Sequence, residues 1–126
     1  MSLKVLIVDD DPLVHMLYSR PLIGAGYEVL TARDGIEALA VAARESPELV
    51  LMDVMMAGMD GLSALRELRR ADATKQTPVI VITSNVTTHA AARREAELAG
   101  ASGFLTKPFS PAQLLAEVTK HVPPAP

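Results

Sequence analysis

Hydrophobic residues along this chain fall into two kinds of pattern that alternate from one end to the other. Residues 4–8, 49–52 and 79–82 are short runs of Val, Leu, Ile and Met, apolar at nearly every position. Residues 27–32 and 102–106 are also strand-like, but polar side chains interrupt them and leave one wetter face. Between these runs apolar positions recur every three or four residues, as on one face of a helix. This holds for residues 12 to about 25, 34 to about 45, 61–71 and 87–99, and again after Ser110. The punctuation agrees. Gly24 and Gly26 close the first helix and Gly100 the fourth, while Asp34 with Glu37 three residues on opens the second like a capping box. Ser110, Pro111 and Gln113 open the last one as cap, first-turn proline and third position. Pro21 removes a backbone donor inside the first helical pattern, so a kink or a broken last turn is expected there.

Strand and helix in strict alternation predict a parallel sheet covered by helices on both faces. Continuously apolar strands belong in the middle of such a sheet, where neither face meets water. The strands around Val5, Val50 and Val79 therefore go to the centre, and those around Tyr27 and Phe104 to the edges. A doubly wound five-stranded parallel sheet in the order 2-1-3-4-5, forming an α/β/α sandwich, satisfies the pattern.

Composition narrows the function classes. The chain's 126 residues fit one compact domain, and 49% hydrophobic content is enough for a real core. A net charge of −3 argues against a nucleic-acid surface, which needs clustered Lys and Arg. Arg66, Arg69 and Arg70, and Arg93 with Arg94, read as solvated helix faces. The absence of cysteine excludes disulfides and thiolate metal sites. The three histidines lack zinc spacing: His15 and His89 are expected to face solvent, and His121 to lie near a helix C-terminus. No apolar run approaches the ~20 residues of a membrane helix, and no signal peptide precedes the first strand, so a cytoplasmic protein is expected. Met52, Met55, Met56 and Met59 read as packing and loop filler.

In a doubly wound sheet, sites form beyond the carboxyl ends of the strands. Here the first strand is followed by Asp9, Asp10 and Asp11, the third ends at Asp53, the fourth at Thr83 and Ser84, and the fifth at Thr106 and Lys107. Four neighbouring strand ends thus deliver carboxylates, a hydroxyl and an ammonium to one rim. Like charges ~4 Å apart repel by roughly 4 kcal/mol at an effective dielectric of about 20, so something positive must offset them. A hard divalent cation suits oxygen ligands, and magnesium suits a site with few protein ligands, because it keeps waters and takes phosphate oxygens. A carboxylate at the centre of such a pocket points to attack on phosphorus and an acyl phosphate. Taken singly, each residue has a blander role. Asp11 and Asp60 read as helix N-caps, Thr83 as a strand-end hydroxyl, Lys107 as a solvated lysine. It is their convergence that carries the chemistry.

The segments Val-Leu-Ile-Val-Asp9-Asp10-Asp11, Leu-Met-Asp53-Val-Met-Met-Ala-Gly-Met-Asp60-Gly61, Ile-Thr83-Ser84 and Phe104-Leu-Thr-Lys107-Pro108-Phe109 closely resemble the receiver family of two-component signalling, in order and spacing, over essentially the whole chain. The resemblance implies a flavodoxin-like (CheY-like) fold over residues 1–122, with 123–126 as a tail or linker stub. It implies that Asp53 is the phosphoacceptor and a magnesium ligand. Asp10 would be a direct ligand, Asp9 one acting largely through water, and the backbone carbonyl of Met55 the last protein ligand. Thr83 would meet a phosphoryl oxygen, Lys107 would bind the phosphate, and the Lys107–Pro108 bond would be cis. On phosphorylation Thr83 would move toward the phosphoryl group and Phe104 would rotate into the space vacated, changing the surface of the last two helices and fifth strand. A static role for Phe104 in an edge strand stays open at this point. Implied partners are a sensor histidine kinase or phosphotransfer protein and an output protein or domain. Neither nucleic acid nor membrane is contacted directly, and homodimerisation is left open.

The chain departs from the family at Ala57, where a proline is usual, and Met55 and Asn85 occupy positions that tune how long the phosphoryl group survives. Such a protein catalyses its own phosphorylation and dephosphorylation but turns over no metabolite. Two other classes compete. A phosphatase using an aspartyl phosphate would carry its nucleophile on the first strand, with a second Asp two residues on, whereas Asp53 is followed at that distance by Met55. A phosphorylation-independent binding module would keep the fold and let the site idle, which the intact set Asp9, Asp10, Asp53, Thr83 and Lys107 speaks against.

Overall fold

The structure, a computed structural model, describes residues 3–54, 61–83 and 89–124, with only the backbone at 89–92. The elements run β1 (Lys4–Val8), α1 (Pro12–Gly24), β2 (Glu28–Ala32), α2 (Gly35–Glu45), β3 (Leu49–Asp53), α3 (Gly61–Arg70), β4 (Val79–Thr83), α4 (His89–Ala99), β5 (Gly103–Thr106) and α5 (Pro111–His121). The strands are parallel and ordered β2-β1-β3-β4-β5, as the sequence pattern predicts. The three apolar runs are the three central strands, and every residue of β3 and β4 is buried.

Alternation along each strand divides the core into two layers. Leu6, Val8, Val50, Met52, Val79 and Val81 pack with α2, α3 and α4 on one face. Val5, Ile7, Leu49, Leu51, Ile80, Ile82 and Leu105 pack with α1 and α5 on the other. The caps form largely as expected. Asp11 accepts from the Leu13 amide and Asp34 from the Glu37 amide. Ser110 and Gln113 complete a reciprocal capping box at α5. At α2 the box is one-sided, because the Glu37 carboxylate turns to Arg33 at 3.8 Å.

Two expectations need correcting. Helix α1 persists past Pro21, as expected, but its last turn is not broken: it continues to Gly24, and the Ala25 amide donates to the Pro21 and Leu22 carbonyls. Arg69 is no solvated helix residue. Its guanidinium donates to the carbonyls of Gly100 at 2.9 Å, Thr77 at 2.7 Å, and Thr74 and Lys75 at 3.3 Å each, and to Ser102 Oγ at 3.3 Å. It thereby ties the α3–β4 turn to the α4–β5 turn, using the several donors that only arginine presents in one plane. Arg69→Ala is expected to lower stability by about 2 kcal/mol in urea titrations, and Arg69→Lys to recover little of that loss.

Candidate functional site

The same alternation that splits the core also sorts the polar residues at the strand ends. Asp9 follows Val5 and Ile7 in parity, Asp53 follows Leu49 and Leu51, and Lys107 follows Leu105, so all three belong to the α1/α5 face. The backbone extends each strand just far enough. The Asp9 amide donates to the Ala32 carbonyl at 3.1 Å, continuing the β1–β2 ladder, and the Lys107 amide donates to the Thr83 carbonyl at 2.8 Å, continuing β4–β5. Side chains from three strands then meet. Lys107 Nζ donates to Asp53 Oδ2 at 3.0 Å and lies 3.8 Å from Asp9 Oδ2. The Lys107–Pro108 bond is cis.

Two buried carboxylates share this one cation, and the mismatch registers on Asp9. Asp9 Oδ1 accepts the Asp11 amide at 2.9 Å, but Oδ2 is buried without a hydrogen bond. Burial, with Asp53 beside it as a repelling charge and as acceptor for a proton, pushes the Asp9 carboxyl up to about 7, against the opposing pull of the Asp11 amide and Lys107. For Lys107, burial alone would lower the ammonium, but the hydrogen bond and charge of Asp53 outweigh it and hold the group above its ordinary range.

The remaining predicted residues fall around this centre. Asp10, of opposite parity to Asp9, is exposed on the rim. Among the described residues no three carboxylate or imidazole side chains converge as a preformed metal cage. The pair that does converge, Asp9 and Asp53, has the character a hard cation requires: acidic oxygens, one of them buried with no hydrogen bond. Met55, Ala57, Asp60, Ser84 and Asn85 lie outside the described residues. Thr83 is buried at the end of β4, in register with Thr106, and Phe104 is in register with Val81, two residues before Thr83. Thr83 and Phe104 therefore share the face opposite Asp9 and Lys107. Phe104 is half-buried, and Arg93 covers its ring at 5.8 Å, so Arg93 too is more than a solvated charge.

Two neighbours escaped the sequence reading. Tyr18 on α1 packs its ring against Phe109 at a centroid distance of 5.3 Å, and it is electrostatically linked to Lys107, Asp9 and Asp53, with burial raising its hydroxyl pKa. Its only signal was a place in the apolar pattern of α1. Gly61 is the other. A Cβ there would overlap the carbonyl oxygen of Asp53 and approach the Val54 Cα to 2.8 Å. Only a residue without a side chain lets α3 start so close to the end of β3. Gly61→Ala is expected to cost about 3 kcal/mol, at the upper end for an overpacked site, because backbone rather than a flexible side chain must yield. Thermal unfolding and the phosphorylation assay described below should both register the change. His15 is also not the solvent-facing residue expected, since its Nε2 is buried without a partner. The side chain of His89 lies outside the description.

Comparison with known proteins places this arrangement. The sequence description of the response regulator receiver domain matches residues 5–119. The chain is 42% identical to the response regulator PleD of Caulobacter vibrioides over 94% of its own length, and spans 26% of PleD. Its fold superposes on the chemotaxis protein CheY4 of Vibrio cholerae with a TM-score of 0.89 at 35% identity, covering 97% of this chain and 100% of that one. It superposes on the receiver domain of the sensor histidine kinase PA1611 of Pseudomonas aeruginosa, a structure described with magnesium in its active-site cleft, with a TM-score of 0.86 at 30% identity, covering 96% and 98%. Among the described residues no helix is long and apolar enough to cross a membrane. Sequence and fold agree, and the chain belongs to the response regulator receiver domains of two-component signalling.

Proposed function

We propose that this receiver takes a phosphoryl group onto Asp53 in a magnesium-dependent reaction and passes the change to a partner through the face formed by α4, β5 and α5. The observation that carries the reading is Lys107 reaching across to Asp53 at 3.0 Å and Asp9 at 3.8 Å from three different strands. A carboxylate oxygen of Asp53 is the nucleophile. It bonds to phosphorus as the bond from phosphorus to the donor breaks, the donor being a phosphohistidine of a sensor kinase or phosphotransfer protein. Lys107 holds the charge of the incoming group. Asp9, Asp10 and Asp53, with the Met55 carbonyl, would hold the magnesium, which supplies charge neutralisation on the transferring phosphoryl group. The PA1611 receiver, described with magnesium in its active-site cleft, supports magnesium as the ion.

The buried Thr83 hydroxyl, at the end of the strand next to that of Asp53, takes the role of meeting a phosphoryl oxygen in this reading. Its shared face and adjacent register with Phe104 support a coupled movement of the two. The reading makes the chain a self-modifying signalling module, not an enzyme of metabolites, with an output protein or domain as its second partner. We take residues 1–122 as the receiver and 123–126 as a tail or linker stub. Val122 is the last buried residue of the described chain, and its carbonyl accepts the Tyr27 hydroxyl.

Incubation with acetyl phosphate and magnesium, followed by intact-mass measurement, is the test. One phosphoryl adduct is expected, lost when magnesium is chelated beforehand. An unchanged mass would make the chain a phosphorylation-independent binding module.

A further inference from the structure

Arg93 lies in the exposed part of α4, yet its guanidinium is held on two sides. Its Nε donates to Glu97 Oε1 at 3.3 Å, one turn along the helix, and its Cζ stands 5.8 Å from the centre of the Phe104 ring on β5. The pair itself lines a cleft of about 70 Å³ between α4 and β5, together with Ala96, Glu97, Ala101, Ser102 and Gly103. On its inner side the ring packs against the core layer of α2, α3 and α4. The ring of Phe104 thus lies between an apolar layer and a cation. A guanidinium over an aromatic face within about 6 Å is attracted by the ring quadrupole. That attraction belongs to one ring position only, because a ring that moves deeper leaves the cation behind.

We propose that Arg93 is a positioning residue that favours the half-exposed resting position of Phe104 and so sets how readily the receiver switches. This rests on the reading above that Phe104 moves when Asp53 is phosphorylated. Glu97 keeps the guanidinium over the ring. At an exposed site such a contact biases the two ring positions by a factor of ~2 to 5. Whatever biases the ring biases phosphorylation in the same sense, because the two are coupled through one equilibrium. Loss of Arg93 raises the share of molecules already in the switched form, and with it the rate of phosphorylation from a small donor.

The chain contains two phenylalanines, Phe104 and Phe109, so fluorophenylalanine labelling of the intact protein gives two assignable fluorine signals. In Arg93→Ala and Arg93→Gln, the Phe104 signal is expected to shift, before any donor is added, toward the position it takes in phosphorylated wild type. The initial phosphorylation rate from acetyl phosphate is expected to rise ~2- to 5-fold, while Arg93→Lys stays near wild type. A Phe104 signal that remains at its resting position in Arg93→Ala, or that moves with no change in rate, overturns the proposal and leaves the phosphoacceptor reading intact. If instead the wild-type protein gains the phosphoryl mass and its Phe104 signal does not respond, the moving-ring reading itself fails, and the role of Arg93 with it.

Discussion

Asp53→Asn protein is expected to take up no phosphoryl group from acetyl phosphate and, at about pH 8 without magnesium, to unfold at a higher temperature than the parent. The first effect follows from chemistry: an amide oxygen is no nucleophile toward phosphorus, and among the described residues Asp53 is the carboxylate hydrogen-bonded to Lys107, Asp9 being 3.8 Å away. The second follows from charge. Two buried acids share one ammonium, so removing one leaves a matched pair of Asp9 and Lys107, and the gain should be about 1 kcal/mol. At about pH 6, where Asp9 in the parent already holds a proton, the stability difference should shrink. An adduct on the Asp53→Asn protein would move the acceptor elsewhere. A variant less stable than its parent at both pH values would show that the Asp53–Lys107 bond outweighs the repulsion.

Apparent magnesium affinity should rise roughly tenfold per pH unit between about pH 5 and 6 and level off above about 7. Asp9, pushed up to about 7 by burial and by Asp53, has to release a proton before its buried oxygen faces a cation. The stability of the metal-free protein should run the opposite way. A carboxyl whose folded pKa lies above its ordinary value of 3.8 contributes fully below that value, and the contribution is lost as pH rises through about 7. Magnesium should restore the loss at high pH and do little at low pH. Calorimetric titration in buffers of different ionisation heats counts the released proton directly. An affinity flat across this range would mean that Asp9 is ionised throughout.

The fold was open to reading because its signals are local. Three apolar runs at Val5, Val50 and Val79 can lie only in the middle of a covered sheet, and Asp11, Asp34 and Ser110 announce their helices within three residues. The centre of the site was legible for a related reason: Asp9, Asp53 and Lys107 each end a strand. Their common face was legible too, by counting alternate residues back to Val5, Leu49 and Leu105, and the same count separates Asp10 from Asp9. What escaped depends on turns. Arg69 looks like any charge at the end of an amphipathic helix until two distant turns present their carbonyls to it. Arg93 acquires meaning only from Phe104 on another element, and Gly61 only from the backbone at Asp53. Helix α1 absorbs Pro21 because the amides at its end are satisfied from within the last turn.

The bridge from Lys107 to Asp53 spans 54 residues of sequence. In the sheet β4 lies between the strands that carry these partners, so the Asp53–Lys107 bridge needs all three strands in place. A nascent chain still lacking β5, or a proteolytic fragment ending before it, would carry the acidic pair with no ammonium to receive the incoming anion. On the proposed reading, competence to receive a signal would thus certify completed assembly, and half-made copies are expected to stay silent.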